Sequence, residues 1–549
     1  MMMMMISERI RKIQKKLFLK GKMAENYRGL LALMLVCLLE WSWAYRILVV
    51  FPTPARSHHN LGKAVADVLQ QRGHEITFIT SFATKNPRYR EVVTPELLDY
   101  KDSSLVNFDM SKQSTLQFMR EQSGWMSRMI EGLFWSQGVR ELFSNRTEHF
   151  DLVVVEFFMN DLLLGLGVKY GCPVVAVSPL PLGNWLAALT GSPQRWGSSP
   201  NILLPHTARM SLAQKAQNML ANIYQGLVGL LYILPVQKLL YEELLPEEAG
   251  KVPYSALRSR ISVVLLNSHP SLEAARPLPP NLVEVGGFHI GADEPLPEDL
   301  QQIMDSATHG VIFFSMGSNL NSSLLPLSVR KDILQTLGSL QQLVLWKLET
   351  EMEPVPDNMI VRGWLPQLAI LAHPNTKLFI THGGLLSYME GTHHGVPLLA
   401  IPVFGDQHHN AASIAEKGVG LTLQYDNLTG KSLHWAVEEI IHNPDYAENA
   451  KRLQRLFHDR PTPPRELVGF YAEHAVRTKG AHHLSTSVQS WLLDVPLMVL
   501  AVPNVLLAPL LLLTPVAILF ALVILCKKCC GFSRRTEIIE INGNKIKND

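Results

Sequence analysis

The chain has 549 residues, which is too long for one ordinary domain and sufficient for two or three. A formal net charge of +2, with 47% hydrophobic and 18% charged residues, excludes a disordered chain and gives no general basis for nucleic-acid binding.

The first 44 residues have the features of a secretory signal peptide. The basic segment RIRKIQKKLFLKGK precedes a compact apolar run at 29–39, and small residues at 42–44 offer a cleavage site before Tyr45. The run is too short to span a bilayer, so we predict a signal peptide at 1–44. The basic prelude is long, which leaves Met23 as an alternative start, and a buried helix is the competing interpretation.

Two series of alternating strands and helices follow. The first begins with YRILVVFP at 45–52 and includes EITFIT, FDLVVVEFF and CPVVAVS; the second begins with GVIFFSMGSN and includes LVLWKL, NMIVRGW, KLFITHGG and PLLAIPVFGD. This alternation predicts an α/β fold of two Rossmann-like domains with parallel sheets, at 45–285 and 286–490. The proline-rich stretch at 275–291 is the predicted linker. Ligands of such sheets lie beyond the carboxyl ends of the strands, so we expect a cleft between the domains.

Histidines are concentrated at 379–410, but their spacing does not favour a metal. They include two adjacent pairs, His393–His394 and His408–His409, and neighbouring residues on a helix or strand point in different directions. No HExxH, CxxC or DxD pattern accompanies them, so no metal site is predicted.

The same stretch favours a nucleotide. The strand KLFI leads through the turn THGG into a helix that stops at Gly395, and FSMGS is a second glycine-containing turn after a strand. Such turns let phosphate approach the backbone at a helix N-terminus. Neither turn matches GxGxxG or GxxxxGK[ST], which argues against a dinucleotide oxidoreductase and against a P-loop.

Residues 362–420, RGWLPQLAILAHPNTKLFITHGGLLSYMEGTHHGVPLLAIPVFGDQHHNAASIAEKGVG, resemble the donor-binding motif of the UDP-glycosyltransferases, most closely the invertebrate members. The resemblance covers almost the whole chain. It implies the glycosyltransferase-B architecture and an inverting transfer of a hexose from a UDP-sugar to a hydroxyl group of a small lipophilic acceptor. The UDP-sugar is then a co-substrate, and no cofactor is expected.

The resemblance also implies a set of donor contacts. Trp364 and Gln367 would contact uracil and ribose, and Glu390 would contact the ribose hydroxyls. Asp406 with Gln407 would bind the transferred sugar. The pyrophosphate would be bound by a larger set: Ser315, Gly317, Ser318, His382, Gly383, Gly384 and Ser387. The alternatives are that Trp364 is a core aromatic and Glu390 belongs to a solvated helix face. Many relatives have Asn where this chain has Leu386, so one phosphate contact is in doubt.

A catalytic pair is expected after the first strand. The resemblance makes His58, in FPTPARSHHN, the base that removes the acceptor proton, with His59 as the competitor. Glu156, at the end of FDLVVVE where vertebrate relatives usually have Asp, would orient the imidazole, and Asp161 is the fallback.

The C-terminal region predicts a membrane anchor. An uncharged apolar run at 505–526, within a segment assigned to 495–526, is long enough to cross hydrocarbon, and the basic residues after it place a tail at 527–549 in the cytosol. Lys545 and Lys547 in KIKND resemble a dilysine retrieval signal. The sequence therefore predicts a single-pass type I protein of the endoplasmic reticulum with lumenal domains.

This topology determines the remaining expectations. Cys172 is the only lumenal cysteine, so no lumenal disulfide within one chain is expected, and the sequons at Asn145, Asn321 and Asn427 are glycosylation candidates. Apolar residues within 85–245 suggest a hydrophobic acceptor pocket or membrane-facing helices. Membrane lipid is an expected partner, and a homo- or hetero-oligomer is compatible with the sequence.

Two choices stay open at this stage. The donor motif supplies no cation beside Asp406 and Gln407, and Arg56 is the nearest by motif position, so UDP-glucose is predicted over UDP-glucuronate. The alternative function is a catalytically impaired, membrane-tethered UDP-sugar or lipophile-binding protein on the same fold.

Overall fold

The computed structural model describes residues 44–84, 87–102, 115–190, 192, 196–291, 295–318, 320, 322–352, 354–485 and 518. The predicted signal peptide (apart from residue 44), membrane segment (apart from residue 518) and cytosolic tail lie outside this range, as does the sequon residue Asn321.

The N-terminal domain contains a seven-stranded parallel sheet of order β3-β2-β1-β4-β5-β6-β7. Its strands are β1 (Arg46–Phe51), β2 (Glu75–Thr80), β3 (Arg90–Val93), β4 (Leu152–Glu156), β5 (Val174–Ser178), β6 (Ile261–Leu266) and β7 (Leu282–Glu284). The central strands consist mainly of buried Val, Ile, Leu and Phe, because helices cover both faces of a parallel sheet.

The C-terminal domain contains a six-stranded parallel sheet of order β10-β9-β8-β11-β12-β13. Its strands are β8 (Val311–Ser315), β9 (Leu343–Lys347), β10 (Met359–Arg362), β11 (Thr376–Thr381), β12 (Leu398–Ala400) and β13 (Gly420–Thr422). Two parallel sheets in separate α/β domains confirm the predicted fold class for the described part of the chain.

Helices alternate with these strands. In the first domain they are α1 (Arg56–Gln71), α2 (Asp99–Asp102), α3 (Thr115–Trp135), α4 (Gln137–Ser144), α5 (Gly165–Tyr170), α6 (Asn184–Thr190), α7 (Leu212–Val228), α8 (Leu234–Leu244), α9 (Pro246–Lys251) and α10 (Tyr254–Leu257). After β7 they are α11 (Glu298–Ser306), α12 (Leu327–Gly338), α13 (Gln367–Ala372), α14 (Leu385–His394), α15 (Gln407–Glu416), α16 (Gly430–His442), α17 (Pro444–His458) and α18 (Pro464–Arg477). Short 3₁₀ turns lie at Pro95–Leu98, Asp161–Leu164, Arg258–Arg260, Ser322–Leu324, Tyr425–Asn427 and His482–Leu484.

Helix α18 returns to the first domain, although the sequence analysis counts it with the second. Val468 and Ala472 lie in the same apolar cluster as Ile47 of β1. At the surface, Arg72 Nε donates to Glu473 Oε1 over 2.6 Å. Amphipathic periodicity indicates that a helix buries one face, but not which sheet that face meets.

The chain therefore crosses between the domains twice, between β7 and α11 and between α17 and α18, and described residues of the two crossings are bonded to each other. Arg460 Nη2 donates to the carbonyl of Gly286 over 2.7 Å, and Arg465 Nη1 donates to that of Phe288 over 3.2 Å. Gly287 adopts φ +87°, a left-handed conformation that favours glycine.

In the part of the chain that the structure describes, one continuous helical stretch is long and apolar enough to cross a membrane by length and composition alone. It runs over Leu212–Leu244, through α7, a π-helical turn at Gly229–Ile233 and α8. It lies in the first domain rather than near the C-terminus, and several of its leucines are exposed: Leu212, Leu220, Leu231 and Leu239.

Candidate active site

A cleft of about 1460 Å³ lies between the two domains at the carboxyl ends of their strands. Most predicted site residues line it: His58, Ser315, Gly317, Ser318, Trp364, Gln367, His382, Gly384, Ser387, Glu390, Asp406 and Gln407. Gly383 and the fully buried Glu156 lie directly behind this lining. Strand register produces the assembly, because Ser315 pairs with Thr381 on one side and with Lys347 on the other, at the ends of three adjacent strands.

His58 and Glu156 form a bonded pair on the N-terminal side of the cleft. His58 lies in the first turn of α1, and its Nδ1 contacts Oε1 of Glu156, the last residue of β4. The other oxygen, Oε2, is 3.4 Å from the backbone nitrogen of Thr53. A carboxylate only accepts, so Nδ1–H donates and Nε2 is the basic nitrogen. The extra methylene of Glu relative to Asp does not prevent the contact.

The two alternatives to this pair have structural roles elsewhere. His59 is buried, bonds Thr80 Oγ1 through Nδ1 over 2.7 Å and stacks on Phe78, and burial lowers its pKa to about 4. Asp161 accepts from Arg258 Nε over 2.7 Å and from Tyr254 Oη over 3.2 Å. Both fallback side chains are thus bonded to residues other than the His58–Glu156 pair, and His58 with Glu156 stays the predicted catalytic pair.

His382 is held between two glycines at the junction of β11 and α14. A Cβ on Gly384 would lie 2.4 Å from its Nε2, and one on Gly317 would lie 2.5 Å from its Cε1, so any side chain at either position would displace the ring. Gly317 and Gly383 also adopt φ +77° and +79°. Burial, together with the charge of Lys347, lowers the pKa of His382 to about 4. At neutral pH the ring is thus a neutral hydrogen-bonding group.

Lys347 is a cleft residue that the sequence analysis missed. It ends β9, and its Nζ donates to the carbonyl of Gly317 over 2.9 Å and also contacts Glu349. The ammonium group therefore lies beside the loop predicted to hold pyrophosphate. Its strand LVLWKL is recognisable in the sequence, but only the pairing of β9 with β8 places the lysine next to Ser315.

A second bonded group lies at the other end of the donor motif. Gln367 Nε2 donates to Glu390 Oε2 over 2.5 Å and lies 3.2 Å from Ser387 Oγ. Glu390 is 7% exposed, so the solvated-face interpretation is wrong. Trp364 is 68% exposed and lines the cleft, so it is not a core aromatic. Leu386 packs against the apolar cluster of the N-terminal domain.

Asp406 and Gln407 lie at the start of α15 and line the cleft together with His58. Burial raises the pKa of Asp406, while a 2.8 Å hydrogen bond from Asn410 Nδ2 and the nearby His58 act in the opposite direction. Gln407 Oε1 accepts from the backbone nitrogens of Val403 and Phe404, which fixes the side chain. Its amide nitrogen makes no hydrogen bond to the residues that the structure describes.

The region of the cleft beyond His58 is apolar. It is lined by aromatic and aliphatic side chains of the first domain: Phe118, Trp125, Phe158, Trp185, Leu186, Ile202 and Ile233. The Phe158 ring lies 5.3 Å from that of His58. Phe118 of α3 reaches Phe404 of the second domain at 6.1 Å, so both domains enclose this region.

The paired histidines do not converge. His409 bonds Glu273 and the carbonyl of His206, whereas His393 packs on His458, with ring centroids 4.3 Å apart. Among the described residues, no three or more His, Cys, Asp or Glu side chains are grouped in a way that could hold a metal ion.

Three further predicted residues lie away from the cleft. Asn145 and Asn427 are exposed, which keeps both available as glycan acceptors. Cys172 is a buried free thiol, and burial raises its pKa to about 12.

The two parallel-sheet domains share their fold with a solved glycosyltransferase. The crystal structure of the glycosyltransferase VinC in complex with DTDP aligns with a TM-score of 0.53 at 17% identity, over 79% of this chain and 100% of that one. The chain belongs to the family described as "UDP-glucoronosyl and UDP-glucosyl transferase", which it matches over residues 46–536. It is a UDP-glycosyltransferase, and its class of reaction is hexose transfer from a UDP-sugar.

Two curated relatives illustrate the range of this family. UDP-glucosyltransferase 2 of Dactylopius coccus is 30% identical over 86% of this chain and 92% of its own length. The human 2-hydroxyacylsphingosine 1-beta-galactosyltransferase is 29% identical over 83% of this chain and 86% of its own length. The names of the relatives alone therefore leave the sugar open.

Proposed function

We propose that this enzyme transfers glucose from UDP-glucose to a hydroxyl group of small lipophilic acceptors, with inversion at the anomeric carbon. The observation that carries the proposal is the bonded His58–Glu156 pair, which lies between an apolar pocket and the donor motif. Nε2 of His58 takes the acceptor proton as the acceptor oxygen attacks the anomeric carbon and UDP leaves. Glu156 stabilises the imidazolium that forms.

The donor contacts follow the chemistry of the nucleotide. Trp364 stacks on uracil, and Gln367 with Glu390 holds the ribose. The turn glycines, His382, Ser315, Ser318, Ser387 and Lys347 bind the pyrophosphate at the start of α14, and Asp406 with Gln407 binds the sugar hydroxyls. Positive charge and backbone donors stabilise the leaving UDP in this scheme, which requires no cofactor or metal.

The cations of the cleft favour glucose over glucuronate. A desolvated carboxylate on the sugar needs a positively charged partner. Four cationic side chains line the cleft among the described residues, and each of them already interacts with another group of the protein. Arg56 lies 4.1 Å from the Phe82 ring, Lys63 bonds Asp67, Lys347 bonds Glu349, and Arg465 bonds the carbonyl of Phe288. Asp406 would in addition repel a carboxylate beside the sugar site.

The apolar pocket next to His58 supports a lipophilic acceptor. We further propose a type I membrane protein of the endoplasmic reticulum, N-glycosylated in the lumen, on the basis of the terminal segments and the exposed sequons. Protease treatment of intact microsomes should then remove only the tail. Digestion of the large domains would contradict this topology.

Side-by-side kinetics with UDP-glucose and UDP-glucuronate, using one phenolic acceptor, test the donor assignment. We expect a higher kcat/KM for UDP-glucose. A higher value for UDP-glucuronate would overturn the choice of sugar, and no UDP release with either donor would favour the catalytically impaired binding protein.

A further inference from the structure

His289 lies in the first crossing between the domains, and the family motif assigns it no role. Its side chain is 3% exposed and lines the cleft, as do Trp364 and Glu390. Both ring nitrogens are buried without a hydrogen-bond partner among the described residues. Nε2 lies 3.3 Å from Glu390 Oε1, but the angles do not form a hydrogen bond.

Other buried histidines of this protein have partners. His59 bonds Thr80, His373 bonds Asp305 over 3.1 Å, and His409 bonds Glu273 and a backbone carbonyl. A buried polar atom without a partner costs free energy, so such atoms are rare unless a ligand satisfies them. A purely structural role would not explain an imidazole whose nitrogens are unsatisfied at the edge of a ligand cleft.

The neighbouring carboxylate defines what such a ligand must offer. Glu390 Oε2 accepts from Gln367, which leaves Oε1 as the oxygen nearest to His289. A carboxylate oxygen only accepts, whereas a neutral imidazole offers one donor and one acceptor nitrogen. A hydroxyl group both donates and accepts, so it can satisfy the two side chains at once.

We propose that His289 is a further donor-binding residue, which together with Glu390 recognises one of the two ribose hydroxyls and makes the enzyme prefer nucleotide donors that carry that hydroxyl. The inference rests on the proposed function, in which Glu390 holds the ribose. It adds a second residue to that contact and a selectivity that Glu390 alone does not specify.

Calorimetric titration of the full-length protein with UDP, 2′-deoxy-UDP and 3′-deoxy-UDP tests the proposal. We expect the wild type to bind one of the two deoxy analogues roughly tenfold more weakly than UDP, the loss typical of an unsatisfied buried group. His289→Ala should weaken UDP by a similar factor and bind that analogue as well as the wild type does. His289→Gln, which keeps an amide close to the position of Nε2, should retain part of the preference.

His373→Ala is the matched control, because it removes a buried histidine of the same domain that bonds Asp305 and does not line the cleft. It should leave all three affinities unchanged. Equal losses for the three nucleotides in His289→Ala, or a wild type that does not distinguish either analogue from UDP, would overturn the inference. A wild type that binds none of the three would instead contradict the proposed function. If His289→Ala does not fold, a reduced preference in a folded His289→Gln supports the contact, and an unchanged preference in that variant refutes it.

Discussion

Replacing Glu156 by Gln tests the catalytic pair without removing the base. The variant keeps the volume and a hydrogen-bonding group but loses the charge that stabilises the His58 imidazolium. Two unit charges about 4 Å apart interact by about 4 kcal/mol at an effective dielectric constant of ~20. At about 1.4 kcal/mol per decade of rate, the loss corresponds to a decrease of up to ~10³-fold in kcat. Glu156 has no solvent exposure, so water cannot replace the lost charge.

The assay is UDP release with an aliphatic alcohol as acceptor, since a phenol ionises more easily and depends less on the base. Glu284→Gln is the matched control, because Glu284 ends β7 of the same sheet and is bonded by Ser268, but does not line the cleft. His58→Ala should lower kcat by about 10²–10⁴-fold while UDP affinity is retained. If Glu156→Gln and Glu284→Gln both kept near wild-type kcat, the charge of Glu156 would have no catalytic role.

The remaining predictions concern the phosphate turn and the returning helix. Gly384→Ala should lower UDP affinity by at least ~tenfold, because its Cβ would lie 2.4 Å from His382 Nε2 and displace the ring from its charge-assisted contact with the pyrophosphate. Gly250→Ala is the control, since its Cβ would meet nothing within 4 Å, and it should bind UDP normally. Burial would raise the pKa of Glu473, but hydrogen bonds, of which the one from Arg72 is the strongest, lower this pKa to about 2. The ionised carboxylate therefore stabilises the fold above pH 4.5, and this stabilisation is lost as the pH falls towards 2. Glu473→Gln should therefore lower Tm by about 1–3 °C at pH 6 and by less at pH 3, as measured by differential scanning fluorimetry. An equal decrease in Tm at both pH values would contradict a stabilising role of the ionised Glu473 carboxylate.

The central strands and the glycine turns could be predicted from the sequence because their signals are local. Runs such as RILVVF and VIFFS are long enough to identify a buried strand, and the turns beside them contain glycine for steric reasons. The edge strands β3, β7 and β13 have three or four residues each, which is too short for periodicity to distinguish from a loop.

The features that the sequence did not predict depend on long-range packing. Lys347 reaches the loop predicted to bind phosphate only because β9 pairs with β8, and His289 reaches the cleft because the segment after β7 brings its Nε2 within 3.3 Å of Glu390 Oε1 on α14. The hydrophobic periodicity of the sequence does not predict the position of either side chain in the cleft. The resemblance identified the motif residues, but it could not show that Glu156 contacts His58 or that His59 and Asp161 are engaged elsewhere.

The two bonded crossings, between β7 and α11 and between α17 and α18, restrict how the two domains can move relative to each other. A single connecting segment would allow the domains to rotate about several axes. Two adjacent segments that are bonded through Arg460 and Arg465 form a hinge that allows rotation about one axis. The described residues after α18 also pack on the first domain, since Ala481 is buried in the core of that domain. The last described residues of this stretch, up to Ser485, therefore belong structurally to the first domain, although they follow the second domain in the chain.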